Sequence, residues 1–182
     1  MEEHGTGFHP PGRQIFSAQA VQDAIQAQAR ELAPLLAGSD PLVLVLMQGA
    51  LYYAAWLTVA LARPLELDYI HATRYGPRRE GDKLHWIRPP PPAVEGRKVL
   101  LLDDIFDEGL TLYEAAEACR RGGAESVVTA VLALKRHDRA QVPPPDSVAL
   151  DVPDAFVVGC GLDDNGRWRN LAGIYTIEEE AG

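Results

Sequence analysis

Three strongly apolar runs constrain the fold of this chain more than any other feature. Strands with one solvated face alternate between apolar and polar residues, whereas near-continuous apolar runs are typical of strands covered on both faces, as in parallel sheets. We therefore expect three central, doubly covered strands. They are Leu42–Met47, Val99–Leu102 and Ser126–Leu134.

Helical patterns separate these runs along the chain. Ser17 can cap a helix with 3.6-residue apolar spacing, which carries Pro34 near its last turn and which Gly38 ends. Two further helices are predicted over Leu51–Ala62 and Leu110–Arg121. Strands alternating with helices predict right-handed βαβ units, so the expected fold class is α/β, with a mainly parallel twisted sheet flanked by helices.

Shorter strands and connectors complete the pattern. Arg74–Lys83 is rich in Gly and Arg and is interpreted as a mobile surface loop. Proline runs at 89–92 and 143–145 indicate extended connectors, because proline donates no ladder hydrogen bond. Short strands are predicted over Leu65–Ile70, Leu84–Ile87 (an edge strand), Phe156–Val158 and Ile174–Ile177.

Charge and cysteine content exclude several functional classes. The chain has 182 residues, with 17 Lys and Arg against 26 Asp and Glu and a net charge of −9. Such a balance disfavours nucleic-acid partners, which are bound largely through basic side chains. The two cysteines, Cys119 and Cys160, have no metal-ligand or disulfide spacing, and no segment has the pattern of a membrane span or export signal. A cytoplasmic protein of one domain, without a membrane partner, is expected.

The chemistry is concentrated in the stretch VLLLDDIFDEGLTL, residues 99–112. Asp103 and Asp104 follow a buried strand, and two carboxylates about 5 Å apart repel by about 3 kcal/mol at an effective dielectric constant near 20. A divalent cation or ligand hydroxyls would offset that cost, while Gly109 and Thr111 at a helix start suit a phosphate. Alternatively the acids only cap a helix and stay solvated, and residue chemistry alone leaves both interpretations open.

The complete string resembles the phosphoribosyl-pyrophosphate-binding motif of the type I phosphoribosyltransferases. A second segment, PDAFVVGCGLDDNGRWRNL (residues 153–171), is similar to the C-terminal segment of the hypoxanthine-guanine phosphoribosyltransferases. With the ALKRH segment around Lys135, the resemblance runs from about Leu42 to Ile177. It implies one domain over 1–182, with a leader (1–15), a lid loop (74–84) and a purine-binding segment (153–177) under a small hood built from the terminal segments.

The resemblance also implies roles for individual residues in binding the sugar. Asp103 and Asp104 match the acidic pair that engages the ribose hydroxyls and, through them, magnesium. Asp107 matches the general base beside the purine imidazole ring. The cradle for the sugar phosphate matches Asp107, Glu108, Gly109, Leu110 and Thr111.

Residues elsewhere match the remaining contacts of the family. Pyrophosphate binding is implied for Gln48, Gly49, Arg74, Tyr75 and Arg169. Purine binding is implied for Lys135, which donates to the exocyclic oxygen, for the stacking ring of Phe156, for the backbone of Val157 and for Asp163. Asp163 also matches the second magnesium carboxylate, so the implied metal ligands are Asp103, Asp104 and Asp163.

Each of these residues has a structural alternative when it is taken alone. Phe156 could be a core aromatic, Lys135 a solvated strand end, Asp163 a turn residue and Arg169 a surface arginine. Their occurrence together in family order favours the site. The implied reaction moves a phosphoribosyl group from phosphoribosyl pyrophosphate to a 6-oxopurine (hypoxanthine or guanine), giving IMP or GMP and pyrophosphate.

Three departures from the family pattern bear on this prediction. Gln48 stands where lysine is usual, Glu108 places a carboxylate in the phosphate cradle, and Arg74 replaces a serine. We hypothesise that Arg74, Arg78 and Arg79 restore the missing positive charge.

Two other functions stay open at this point: a regulatory or RNA-binding protein that keeps the fold, and a catalytically silent nucleotide-binding module. The family's dimers and tetramers imply a homo-oligomer.

Overall fold

A six-stranded sheet forms the centre of the structure. The computed structural model describes residues 11–73, 84–140 and 142–177. In chain order the elements are β1 (Arg13–Phe16), α1 (Ala18–Leu35), β2 (Leu42–Met47), α2 (Leu51–Leu61), β3 (Glu66–Thr73), β4 (His85–Arg88), β5 (Lys98–Phe106), α3 (Leu110–Arg121), β6 (Ser126–Lys135), β7 (Ser147–Val152), β8 (Phe156–Val158) and β9 (Ile174–Ile177). The central sheet has the order β4-β3-β2-β5-β6-β7, and all its pairings are parallel except that of β3 with the edge strand β4.

Helices cover both faces of the sheet, as the apolar runs predict. Alternate residues of β2 point to opposite sides, so Val43 and Val45 pack with α1 and α2, while Leu42 and Leu44 pack with α3. β5 divides in the same way, and its residues 99–102 are completely buried. The predicted α/β class, with a mainly parallel sheet between helices, is confirmed.

The first helix begins and packs as its sequence pattern predicts. The Ser17 hydroxyl accepts a hydrogen bond from the Ala20 N–H at 3.2 Å, and Pro34 lies in the last turn. On the buried face, Tyr53 of α2 donates to Gln28 of α1 at 2.7 Å, and Gln28 donates to the Val131 carbonyl of β6 at 3.1 Å. This polar bridge fixes both helices against the sheet. No helix among the described residues is long and apolar enough to cross a membrane.

Three strands show the largest differences from the prediction, whereas the bounds of β3, β4 and β6 shift by one to three residues. β5 continues beyond Leu102 to Phe106, because its pairing with β6 persists through Asp103, Ile105 and Phe106. The acid pair therefore lies inside the strand rather than after it. β7 was not predicted, since Ser147 and Asp151 interrupt its apolar pattern at the sheet edge. Arg13–Phe16, which overlaps the predicted leader, forms β1 because β9 supplies its partner.

A second, three-stranded antiparallel sheet forms the hood. Its order is β1-β9-β8, so it joins segments from the two ends of the described chain and confirms the hood that the resemblance implies. Phe156 lies opposite Ile177 at the start of β8. The mobility predicted for 74–83, like most of the implied lid loop, falls outside the described residues.

Candidate active site

A cleft of about 490 Å³ opens at the carboxyl ends of the central strands. Ligands of open α/β sheets bind at this edge, beyond the strand ends. Eleven of the residues that the sequence predicts line the cleft together: Gln48, Gly49, Asp103, Asp104, Asp107, Glu108, Gly109, Leu110, Thr111, Asp163 and Arg169.

The acid pair forms the floor of this cleft. Each carboxylate accepts a backbone hydrogen bond nearby: Asp103 from the Asp104 N–H at 2.9 Å, and Asp104 from the Ile105 N–H at 2.8 Å. Burial raises the pKa of both carboxyls, and the neighbouring charge of Asp104 raises that of Asp103 further. The positive charge of Arg169 offsets part of this cost at Asp104, and the buried pair is suited to a cation or to ligand hydroxyls.

The loop after β2 lies directly against the acid pair. The peptide bond between Met47 and Gln48 is cis, the Gln48 side chain is exposed and Gly49 is buried. A Cβ at Gly49 would collide with the Asp104 carboxylate, and one at Gly161 would collide with the Gly49 carbonyl oxygen. Glycine at both positions allows three segments of the chain to meet at one end of the cleft.

The predicted phosphate cradle is a turn that leads into α3. Gly109 is the residue before the helix and has a φ of +80°, a left-handed conformation that favours glycine. A Cβ there would also collide with the Phe106 ring. The first turn of α3 presents backbone N–H groups with no partner inside the helix, which suits an anion. Glu108 is exposed, at the rim of the cleft.

Asp107 is surrounded by hydrogen-bond donors. Lys135 Nζ donates to Oδ2 at 2.8 Å, His137 Nε2 lies 2.6 Å from Oδ1, and the Arg139 guanidinium lies 3.7 Å from the same oxygen. Burial alone would raise the pKa of Asp107, but the hydrogen bonds from Lys135 and His137 outweigh it and lower the pKa below its usual value. Asp107 is thus held as a carboxylate.

A smaller pocket of about 150 Å³ adjoins the cleft beneath the hood. The purine-binding residues implied by the resemblance, Lys135, Phe156, Val157 and Asp163, meet there with Asp107. Phe156 is 42% exposed, although it begins a strand, so its ring is available to a ligand and does not belong to the core. Val157 is buried.

Asp163 and Arg169 form an ion pair that lines the cleft. Arg169 donates to Asp163 Oδ1 at 2.7 Å and to the Gly161 carbonyl oxygen at 2.5 Å. Asp163 Oδ2 accepts from the Gly166 N–H at 2.6 Å. The turn after β8 is therefore fixed by the two residues that the sequence assigns to metal and pyrophosphate.

The implied metal ligands do not form a closed metal centre. Among the described residues, no three His, Cys, Asp or Glu side chains are close enough to hold one ion together. Magnesium, however, retains several waters and is commonly held by one or two carboxylates with substrate phosphates. The acid pair and Asp163, which line the same cleft, fit an ion that is bound mainly by a substrate.

Sequence reasoning missed two residues beside Asp107, of which Arg139 lines the cleft itself. His137 and Arg139 follow Lys135 in the same turn, and their only sequence signal was this proximity. Arg74 and Tyr75 lie outside the described residues, as do Arg78 and Arg79. The compensation proposed for these arginines stays a prediction.

Comparison with known proteins shows the same relationship over nearly the whole chain. The family model for the phosphoribosyl transferase domain matches residues 12–165. The chain is 33% identical over 171 residues to the hypoxanthine-guanine phosphoribosyltransferase of Bacillus subtilis, covering 93% of this chain and 95% of the relative. It is 29% identical to that of Streptococcus thermophilus, covering 91% and 93%. A lysine-to-arginine variant of the Trypanosoma cruzi hypoxanthine phosphoribosyltransferase, solved as a ternary substrates complex, matches with a TM-score of 0.84 and 28% identity, covering 92% and 96%.

Proposed function

The chain belongs to the phosphoribosyl transferase domain family, and from this premise we propose that it transfers the phosphoribosyl group of phosphoribosyl pyrophosphate to a 6-oxopurine. The products are IMP or GMP and pyrophosphate. Two relatives named hypoxanthine-guanine phosphoribosyltransferase match this chain over more than nine-tenths of their own length. They support purine salvage over an RNA-binding or a silent module.

The large cleft would bind the activated sugar. The carboxylates of Asp103 and Asp104 would accept hydrogen bonds from the ribose hydroxyls, and the N–H groups at the start of α3 would bind the 5′-phosphate, helped by the Thr111 hydroxyl. Pyrophosphate would lie against the Gln48–Gly49 backbone, with Arg169 nearby. In the absence of a lysine at position 48, backbone amides would supply much of this contact.

Magnesium would join the sugar half of the site. Asp163, and Asp103 with Asp104 through the ribose hydroxyls, are the residues that would hold it. When bound, the ion neutralises negative charge on the pyrophosphate leaving group. Burial makes the charges of the acid pair unfavourable, and a cation or hydroxyl donors would relieve this cost.

The small pocket would bind the purine. Phe156 would stack on the base, Lys135 would donate to the exocyclic oxygen, and the Val157 backbone would contact the base edge. An adenine amino group at that position is a donor and would leave the lysine unpaired, which costs affinity. The site thus favours 6-oxopurines.

Asp107 lies between the two halves and would act on the reaction itself. Its carboxylate would accept or steer the proton of the attacking purine nitrogen. Departure of pyrophosphate places positive charge on the ribose ring, which a nearby carboxylate stabilises. The observation that carries the proposal is this placement of an ionised Asp107 at the junction of a sugar-phosphate cleft and a base pocket.

Release of pyrophosphate tests the proposal directly. The protein is mixed with magnesium, phosphoribosyl pyrophosphate and hypoxanthine, guanine, xanthine or adenine in turn. We expect rapid release with hypoxanthine or guanine and far slower release with adenine or without a base. Absence of base-dependent release under all four conditions would contradict the proposed function.

Exposed apolar surface bears on the assembly of the protein. Large apolar side chains are exposed near the β4 edge of the sheet, at Leu67, Tyr69 and Ile87. We propose that such surface is covered in a homo-oligomer, a dimer or tetramer, in the cytoplasm. Light scattering at several protein concentrations measures the mass, and a monomer throughout would contradict the assembly.

A further inference from the structure

His137 lies behind Asp107 and is fixed on both sides of its ring. Its side chain is only 5% exposed, and its Nε2 lies 2.6 Å from Asp107 Oδ1. On the other side, Nδ1 accepts a hydrogen bond from the Arg139 backbone N–H at 3.0 Å. A nitrogen that accepts carries no proton, so the neutral ring bears its proton on Nε2 and donates it to Asp107.

The turn that carries His137 is itself anchored to β7 and to the segment between β7 and β8. Arg139 donates to both oxygens of Asp154, at 2.6 and 2.7 Å, and Asp154 lies two residues before Phe156. Arg136 donates to Asp151 of β7 at 2.6 Å. These contacts, made by the residues on either side of the histidine, keep its ring directed at Asp107.

Lys135, the other close donor to Asp107, would have two hydrogen-bond acceptors in the proposed function. It donates to Asp107 Oδ2 at 2.8 Å, and in the proposed function the same ammonium donates to the exocyclic oxygen of the purine. Oδ2 must then also accept the proton of the purine nitrogen. The contact of His137 with Oδ1 competes with neither event, because it is made to the other oxygen.

We propose that His137 is a positioning residue for phosphoribosyl transfer: its neutral ring holds Oδ1 of Asp107 so that Oδ2 faces the purine when Lys135 turns to the base. This inference rests on the proposed function. It predicts that His137 acts on turnover through Asp107 and contributes little to binding of phosphoribosyl pyrophosphate, because its ring contacts the Asp107 carboxylate and the Arg139 backbone and not the N–H groups at the start of α3.

Two substitutions at this position separate donation from packing. His137→Leu fills similar space without a donor, whereas His137→Gln carries an amide N–H that can reach the place of Nε2. We expect His137→Leu to lower kcat about tenfold, equivalent to about 1.4 kcal/mol, with KM for phosphoribosyl pyrophosphate within about twofold of wild type. His137→Gln should recover kcat to within about threefold of wild type.

A double-mutant cycle tests whether the effect passes through Asp107. In an Asp107→Asn background, His137→Leu should lower kcat by less than about twofold. A merely structural role would instead lower kcat by the same factor in both backgrounds. Equal kcat for His137→Leu and wild type, or equal losses for the Leu and Gln variants, would overturn the inference.

The assay also separates this inference from the proposed function. If wild-type protein releases no pyrophosphate with any purine, the proposed function fails; if it does and His137→Leu matches it, only the inference fails. Thermal melting identifies a variant that does not fold. In that case His137→Gln is compared with His137→Asn, whose shorter amide cannot reach Asp107, and equal kcat values for these two would also overturn the inference.

Discussion

The acid pair Asp103–Asp104 and the nearby Asp107 lie in one cleft, but their surroundings shift their pKa values in opposite directions. Asp103 and Asp104 have raised pKa values because burial penalises their charge, and the neighbouring charge of Asp104 raises the pKa of Asp103 further. Asp107, only three residues further, has a lowered pKa because Lys135 and His137 donate to it. The charge of the acid pair would be stabilised by a bound cation or by ligand hydroxyls, whereas donors of the protein itself already stabilise the charge of Asp107. In the proposed function, binding and chemistry would therefore take place in different electrostatic environments, on one strand and on the turn that follows it.

The largest effect is expected when Asp107 loses its charge. Asp107→Asn should lower kcat by about 10² to 10⁴, the range of general acid–base contributions, while KM for phosphoribosyl pyrophosphate changes by less than about threefold. Steady-state pyrophosphate release measures both. A near wild-type kcat would remove Asp107 from its proposed role and would make the two groups of carboxylates equivalent.

Crowding the acid pair should affect binding instead. Gly49→Ala places a Cβ where the Asp104 carboxylate lies, so the loop after β2 must move. We expect affinity for phosphoribosyl pyrophosphate to fall about tenfold, equivalent to about 1.4 kcal/mol. Isothermal titration measures it. Gly38→Ala is the control, because Gly38 lies before the amino end of β2, away from the cleft, and a Cβ there meets nothing within 4 Å. The strain of its φ of +72° should lower Tm but leave the affinity unchanged. An unchanged affinity for Gly49→Ala would contradict the predicted contact.

Removing one charge from the pair should separate stability from ligand response. Asp103→Asn relieves repulsion, so Tm without ligand should rise by about 2 °C. Magnesium with phosphoribosyl pyrophosphate at a hundredfold excess over Kd should raise the wild-type Tm by about 5 to 10 °C, and the variant Tm by less than half as much. Scanning fluorimetry measures both, and an equal ligand response would show that the pair is not part of the binding site.

The smallest effect concerns the titration of Asp107. A lowered folded-state pKa contributes stability that is present above the unfolded pKa and lost as pH falls through the folded value. Lys135→Met removes one donor, so the pKa of Asp107 should rise, and this loss should begin at higher pH. Carboxyl ¹³C NMR follows the titration. Lys98→Met, on the amino end of β5, is the control that should leave it unchanged.

The sequence predicted those elements whose burial leaves a strong pattern. Leu42–Met47 is apolar throughout because helices cover both of its faces, and it was predicted with its observed bounds. β7 carries Ser147 and Asp151 at the edge of the sheet, so its alternation of Val148, Leu150 and Val152 was the only signal. β1 exists because of a partner 161 residues away, Tyr175 opposite Gln14, which no local pattern reveals.

The candidate site divides along similar lines. The acid pair and cradle are contiguous in the chain, so their spacing suited a sugar phosphate and carried the family resemblance, although residue chemistry alone left a solvated helix cap open. His137 belongs to no motif, because its importance comes from a turn that directs Nδ1 to a backbone N–H and Nε2 to a carboxylate. The orientation of the two ring nitrogens follows from the folded turn and leaves no pattern in the sequence.

The hood has a consequence for the order in which the enzyme is completed. During synthesis Arg13–Phe16 emerges early, and its partner Ile174–Ile177 emerges among the last of the described residues. β1 therefore has no partner strand until β9 has been made. β8, which begins with Phe156, also pairs with β9. The strands that hold the sugar cleft can assemble beforehand. A nascent chain would therefore have its sugar half in place before the hood over its base half can close.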